Sequence, residues 1–185
     1  MKDYQKDLWR IFGDASKKHM LKAMTWNHYL FLLSWRKIKS KSKITFFWRV
    51  INHHTKNSNG LEIPFTVQLG EGILLVHPYG ITLNSNAIIG NNVTIYKGAT
   101  IGNIKVGRRQ GTPIIGDRVY IGLNSTIVGG VKIGSDVLVA PNTYINFDVP
   151  DHSVVIGSPG VIHMREHATY GYISNPVPDE EIGHD

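Results

Sequence analysis

The sequence predicts a mainly-β solenoid preceded by a short helical segment. Three observations carry that expectation. Aliphatic residues recur at a six-residue step: Ile63, Leu69 and Leu75, then Leu83, Ile89, Ile95 and Ile101, then Ile115, Ile121, Ile127, Ile133, Val139 and Ile145. Glycine follows six of them, at Gly70, Gly90, Gly102, Gly116, Gly122 and Gly134. Two residues before them the side chain is usually small or β-branched, as at Ala87, Val93, Ala99, Val119, Ser125, Val131, Val137 and Thr143. A period of six matches neither a helix nor a simple strand. It matches a stack of flat coils with tight corners, in which each aliphatic residue points inward onto its equivalents. Glycine and β-branched residues are too dense there for a helix.

The period slips twice. Two extra residues lie between Leu75 and Leu83, and this slip carries His77. Eight extra residues lie between Ile101 and Ile115, within "GNIKVGRRQGTP", a polar, basic, glycine-rich run that reads as a mobile flap. Breaks in a strict local rule are where function is expected. The residues alone leave His77 two roles. It caps a corner through a backbone hydrogen bond, or it is a base poised near neutral pH.

Composition removes several classes. The chain has no cysteine, which excludes disulfides, thiolate nucleophiles and cysteine-ligated metal. The start "MKDYQKDLWR" lacks the apolar region of a signal peptide. "YLFLLSW", residues 29–35, is too short to span a bilayer. The expected location is therefore cytoplasmic. Residues 1–60 hold 13 Lys and Arg against 3 Asp and Glu, whereas residues 61–185 hold 7 against 11. The basic segment reads as a solvated helix face or as attraction to an anionic surface. No recognition motif accompanies the charge, so nucleic acid is not an expected partner.

The repeat resembles the hexapeptide-repeat, left-handed parallel β-helix acyltransferases. Within them, "EIPFTVQLGEGILLVHPYGITLNSNAIIGNNVTIYKGATIG" and "VPDHSVVIGSPGVI" resemble the serine acetyltransferase branch, over roughly residues 61–162. The resemblance implies acetyl-CoA as donor, no metal, and a homotrimer with active sites between subunits. In that branch a histidine in this coil is the general base, held by an acidic residue fifteen positions earlier; here these are His77 and Glu62. It further implies Asn103 as the amide that meets the acetyl oxygen, and Gly122, Leu123, Ala140 and Pro141 as pantetheine-lining corners. Arg108 and Arg109 stand where they can meet CoA phosphates or an acidic acceptor, or merely keep the flap soluble. Tyr79 and Thr112 are the expected acceptor contacts.

The chain departs from that branch at the acceptor side. Val76 stands where the branch has an acid before the histidine. Thr112 stands where it has a flap histidine, and "PGV" replaces "PAR". A buried amino acid needs partners for both charged ends. The sequence therefore looks more like the related enzymes that O-acetylate sugars of capsule, exopolysaccharide or O-antigen, or their lipid-linked precursors. L-serine is the alternative acceptor, and a non-catalytic scaffold is the alternative of another class. A three-histidine metal enzyme and a drug-inactivating acetyltransferase fit the spacing poorly. The expected organisation is a basic, aromatic-rich helical segment at 1–60, the β-helix at 61–162 with its flap at 103–113, and an arm at 163–185. Trp26, Tyr29, Phe31, Trp35, Phe46, Phe47 and Trp48 are read first as packing residues. The rival reading is peripheral contact with the inner membrane face through residues 1–60.

Overall fold

The computed structural model describes residues 1–41 and 43–183. Four helices open the chain: α1 (Asp3–Phe12), α2 (Lys17–Ala23), α3 (Asn27–Lys39) and α4 (Thr45–Asn59). Gly60, in the left-handed region at φ +59°, ends α4 and turns the chain into the first coil. Leu8, Ala23, Tyr29 and Leu33 form a small core among the helices. Phe31, Leu32 and Trp35 instead join the core of the solenoid.

Among the described residues fourteen strands follow. β1 (Gln68–Leu69), β4 (Ile88–Ile89), β7 (Ile114–Ile115) and β10 (Lys132–Ile133) stack as the first face. β2 (Leu74–Val76), β5 (Thr94–Tyr96), β8 (Tyr120–Ile121), β11 (Val137–Val139) and β13 (Ser153–Ile156) form the second. β3 (Thr82–Leu83), β6 (Thr100–Gly102), β9 (Thr126–Val128) and β12 (Tyr144–Ile145) form the third. All these pairings are parallel, and the result is a left-handed parallel β-helix. β14 (Val161–Met164) runs antiparallel to β13 and closes the second face.

The six-residue ruler is the register of this stack. Leu75, Ile95, Ile121, Val139 and Val155 pair in one inward column, and Leu83, Ile101, Ile127 and Ile145 in another. Of the thirteen hexad residues, only Leu69 is not fully buried, and it packs against the core. Each fully buried aliphatic side chain contributes about 1.5–3 kcal/mol, so the columns are the main source of stability.

The helical segment is bolted to the lowest coil by buried charge. Arg36 Nε donates to Asp7 Oδ2 at 3.0 Å, and Arg36 Nη1 donates to the Leu69 carbonyl at 3.0 Å. The Ile73 amide donates to Asp7 Oδ1 at 2.8 Å. Arg10 donates to the carbonyls of Gly72 and Ser174 and to Thr94 Oγ1. Burial lowers the Arg10 guanidinium to about 10, against the opposing pull of Asp7. Breaking one partner of such a buried pair leaves an uncompensated charge. Three of the basic residues counted in the sequence, Lys6, Arg10 and Arg36, are thus buried structural groups.

The segment after β14 folds back down the stack. Asp136 accepts from the amides of Ala168 and Thr169, from Thr169 Oγ1 at 2.6 Å, and from His152. Asn92 exchanges two hydrogen bonds with Val177, and Gly183 donates to Glu71. Ala168 packs on Leu138 and Val154, and Tyr172 meets Tyr120 edge-on. Glu71, Asn92 and Asp136 all lie at the corner between first and second faces, so the arm lies along that edge.

Candidate active site

The three edges of the prism differ. The corner between second and third faces carries residues 77–81 in the lowest coil, 97–99 above it, then 122–125 and 140–143. These corners stack through their backbones. Gly98 N donates to Tyr79 O, Asn124 N to Lys97 O, and Asn142 N to Leu123 O, at 2.8–3.0 Å. His77, Gly122, Leu123, Ala140 and Pro141 therefore share one edge, which the arm leaves open. A Cβ on Gly122 would lie 2.7 Å from the nitrogen of Pro141. Glycine is thus required there for the coils to stack, whatever else the corner binds.

His77 stands out on this edge. Its φ is +47°, whereas in the coils above the left-handed residue falls one position later, at Gly98, Asn124 and Asn142. The two extra residues account for this. Leu75 and Ile95 are twenty positions apart where a regular pair, Ile121 and Val139, is eighteen apart. The surplus is absorbed in a tight turn in which Tyr79 N donates to His77 O at 2.7 Å and Gly80 sits at φ +65°. Positive φ recurs at the corners of the solenoid, at Asn124 and Asn142 among others, so it is the shifted position of the turn that sets His77 apart. The turn is held from below as well, because Gly80 N donates to the carbonyl of Asn59 at the end of α4. The His77 ring is exposed at the mouth of a cavity of about 400 Å³, lined also by Thr25, Trp26, Asn27, His28, Asn59, Pro78 and Tyr79.

His28 is a residue that sequence reasoning missed. It comes from the first turn of α3, and its ring lies 5.4 Å from that of Trp26. Burial first, and the facing His77 second, lower its pKa below the usual imidazole range. It therefore stays neutral near pH 7 and can donate or accept one hydrogen bond. Lys97 was missed too. It is exposed one coil above His77, on the same edge.

Four features of the structure bear on the expected site. Among the described residues no hydrogen bond or ion pair joins His77 to Glu62. The coil there is twenty residues long, so Glu62 bridges Thr82. Asn103 lies beyond β6, at the corner between third and first faces. One chain therefore presents His77 and Asn103 on different edges. Asn103 there accepts from Asn84, which in turn accepts from Thr112 Oγ1 at 3.4 Å. The flap is an anchored hairpin, not a loose loop. Ile104 and Gly111 exchange amide bonds, and Gly130 N donates to Arg109 O. Finally, Arg109 is paired with Asp148 at 3.2 Å, which leaves Arg108 as the flap's uncommitted exposed arginine among those two.

Comparison with known proteins fits this geometry. "Hexapeptide repeat of succinyl-transferase" matches residues 67–97, and "Bacterial transferase hexapeptide (six repeats)" matches residues 112–146. Both family models describe the hexapeptide repeat, on the left-handed β-helix that the structure shows. The two matches flank the flap, the region where the hexad is interrupted. A serine acetyltransferase of Staphylococcus aureus is 32% identical over 141 residues, covering 74% of this chain and 66% of that protein. The chain thus spans just under two thirds of that relative's length. The structure of Neisseria gonorrhoeae serine acetyltransferase in complex with serine matches with a TM-score of 0.68 and 27% identity, over 88% of this chain and 68% of that one. Serine acetyltransferase from Brucella abortus in complex with coenzyme A matches with a TM-score of 0.70 over 88% and 67%; at 21% identity it bears on the fold alone.

Proposed function

We propose that this hexapeptide-repeat protein is an acetyl-CoA-dependent O-acetyltransferase with His77 as general base. The observation that carries the reading is the open edge itself. One of the two breaks in the period puts an exposed imidazole at a cavity mouth, and the backbone corners above it form a track that no other described segment covers. The residues fit an extended thioester: Gly122 and Ala140 are small, Pro141 is exposed, and Lys97 and Arg108 offer cations for phosphate.

In the proposed step, the His77 imidazole takes the proton of the acceptor hydroxyl as its oxygen attacks the thioester carbonyl. The carbon–sulfur bond then breaks, and the imidazolium returns the proton to the leaving thiolate. A base of this kind contributes about 10²–10⁴-fold. Asn103 and the flap would serve the His77 edge of a neighbouring copy, because they lie on another edge of their own chain. A homotrimer provides that arrangement. Glu62 would orient His77 only after a side-chain rearrangement.

For the acceptor, likeness favours L-serine, since the relatives carry that name and one was solved with serine. A specific observation favours the second reading, a sugar hydroxyl of a surface polysaccharide or its precursor. Val76 and Thr112 leave two of the positions that would hold an amino acid's charged ends without a charge. The experiment is release of CoA from acetyl-CoA with L-serine and, separately, with de-O-acetylated polysaccharide of the producing organism. Turnover with serine selects the first reading and turnover with the polysaccharide alone selects the second. Release undiminished in His77→Asn would sink the mechanism.

A further inference from the structure

The aromatic residues of the helical segment divide sharply. Tyr29, Phe31 and Trp35 are buried, as packing residues should be. The N-terminal half of α4 is the opposite: Phe46 is 82% exposed, Phe47 52%, and Ile44 and Val50 are each 56% exposed. Phe46 and Val50 are one helical turn apart, with Phe47 beside them, so the four residues form one protruding apolar tip. Exposed Lys41, Lys43 and Arg49 surround it. No Asp or Glu occurs anywhere from residue 15 to residue 61, a stretch with ten Lys and Arg.

We infer that the N-terminal tip of α4 docks this protein on an anionic lipid surface. An apolar wedge ringed by cations and free of carboxylates matches the acyl–headgroup boundary of such a surface. Charge also argues against a self-facing contact of this tip with a second copy of the chain. A two-fold contact through this tip would set Lys41, Lys43 and Arg49 against their own equivalents. Among the described residues no helix is long and apolar enough to cross a membrane, so the contact is peripheral. The inference does not depend on the acetyltransferase reading.

The test is flotation of the full chain with vesicles of phosphatidylcholine alone and of phosphatidylcholine with phosphatidylglycerol. The wild type should float with the anionic vesicles only, and high salt should release it. Phe46→Ser with Phe47→Ser should weaken partition about tenfold or more. Lys41→Glu with Lys43→Glu should abolish the preference for anionic lipid. All four positions are exposed, and an unchanged circular dichroism spectrum verifies the fold. Equal flotation with both vesicle types, or none, would overturn the proposal. So would a wild type that forms a larger assembly in solution which Phe46→Ser with Phe47→Ser dissociates, since the tip would then be a contact between copies.

Discussion

Two edges of the same prism have opposite fates. The edge between first and second faces is filled by the chain's own residues 165–183, held by Asp136, Asn92 and Glu71. Among the described residues the edge between second and third faces carries no such segment; the helices reach only its lowest coil, where they flank His77. Both are built from the same repeat and similar corners. A solenoid offers equivalent grooves by construction, so what distinguishes a working groove is where the chain declines to cover itself and where the period breaks. Here the first of the two breaks falls on the uncovered edge.

The largest expected effect disables the open edge alone. Asparagine tolerates positive φ, so His77→Asn should keep the fold while acceptor-dependent CoA release falls about 10²–10⁴-fold; steady-state kinetics with a melting curve checks both halves. A core change should spare neither edge. Ile121 is fully buried between Ile95 and Val139, and Ile121→Ala should cost about 2–5 kcal/mol in denaturant unfolding. Asp136→Ala should act on the filled edge. It removes the acceptor of four hydrogen bonds and should cost about 1–3 kcal/mol, exposing the segment after Met164 to limited proteolysis while turnover is retained. Lost turnover in that variant would mean the two edges are not independent.

The smallest effect is a pH dependence. His28 has a folded pKa below its ordinary value of 6.5. The unfolded chain therefore binds more protons in that range, and stability rises with pH. His28 contributes its full share above pH 6.5 and loses it as pH falls through the lowered value. Melting temperatures across mild acid should drop less for His28→Gln than for the wild type. Identical profiles would show that His28 is not shielded by the cavity wall.

The fold was legible because it rests on a local rule. Every hexad position faces inward, and the two slips fall at the His77 turn and at the flap. What was not legible depends on distance along the chain. His28 reaches the His77 turn only because the helices dock through Asp7, Arg36 and Arg10, and no local pattern marks those charges as buried. The arm is positioned by Asp136 and Asn92, corner residues that look like ordinary turn formers. The pairing of Glu62 with Thr82 was not legible because the slip lengthens that coil to twenty residues. Nor was the Arg109–Asp148 pair, whose partners come from different coils. The aromatics of residues 1–60 split into core and surface by helix face, which scattered composition does not reveal.

The most direct test of the open-edge account is amide hydrogen exchange of the whole protein with and without CoA. The account predicts added protection at corners 77–80, 97–99, 122–124 and 140–142, with the flap following, and unchanged exchange along 165–177. Protection confined to the arm and its corners at Asn92 and Asp136 would contradict it, placing the donor on the edge that the chain fills with itself.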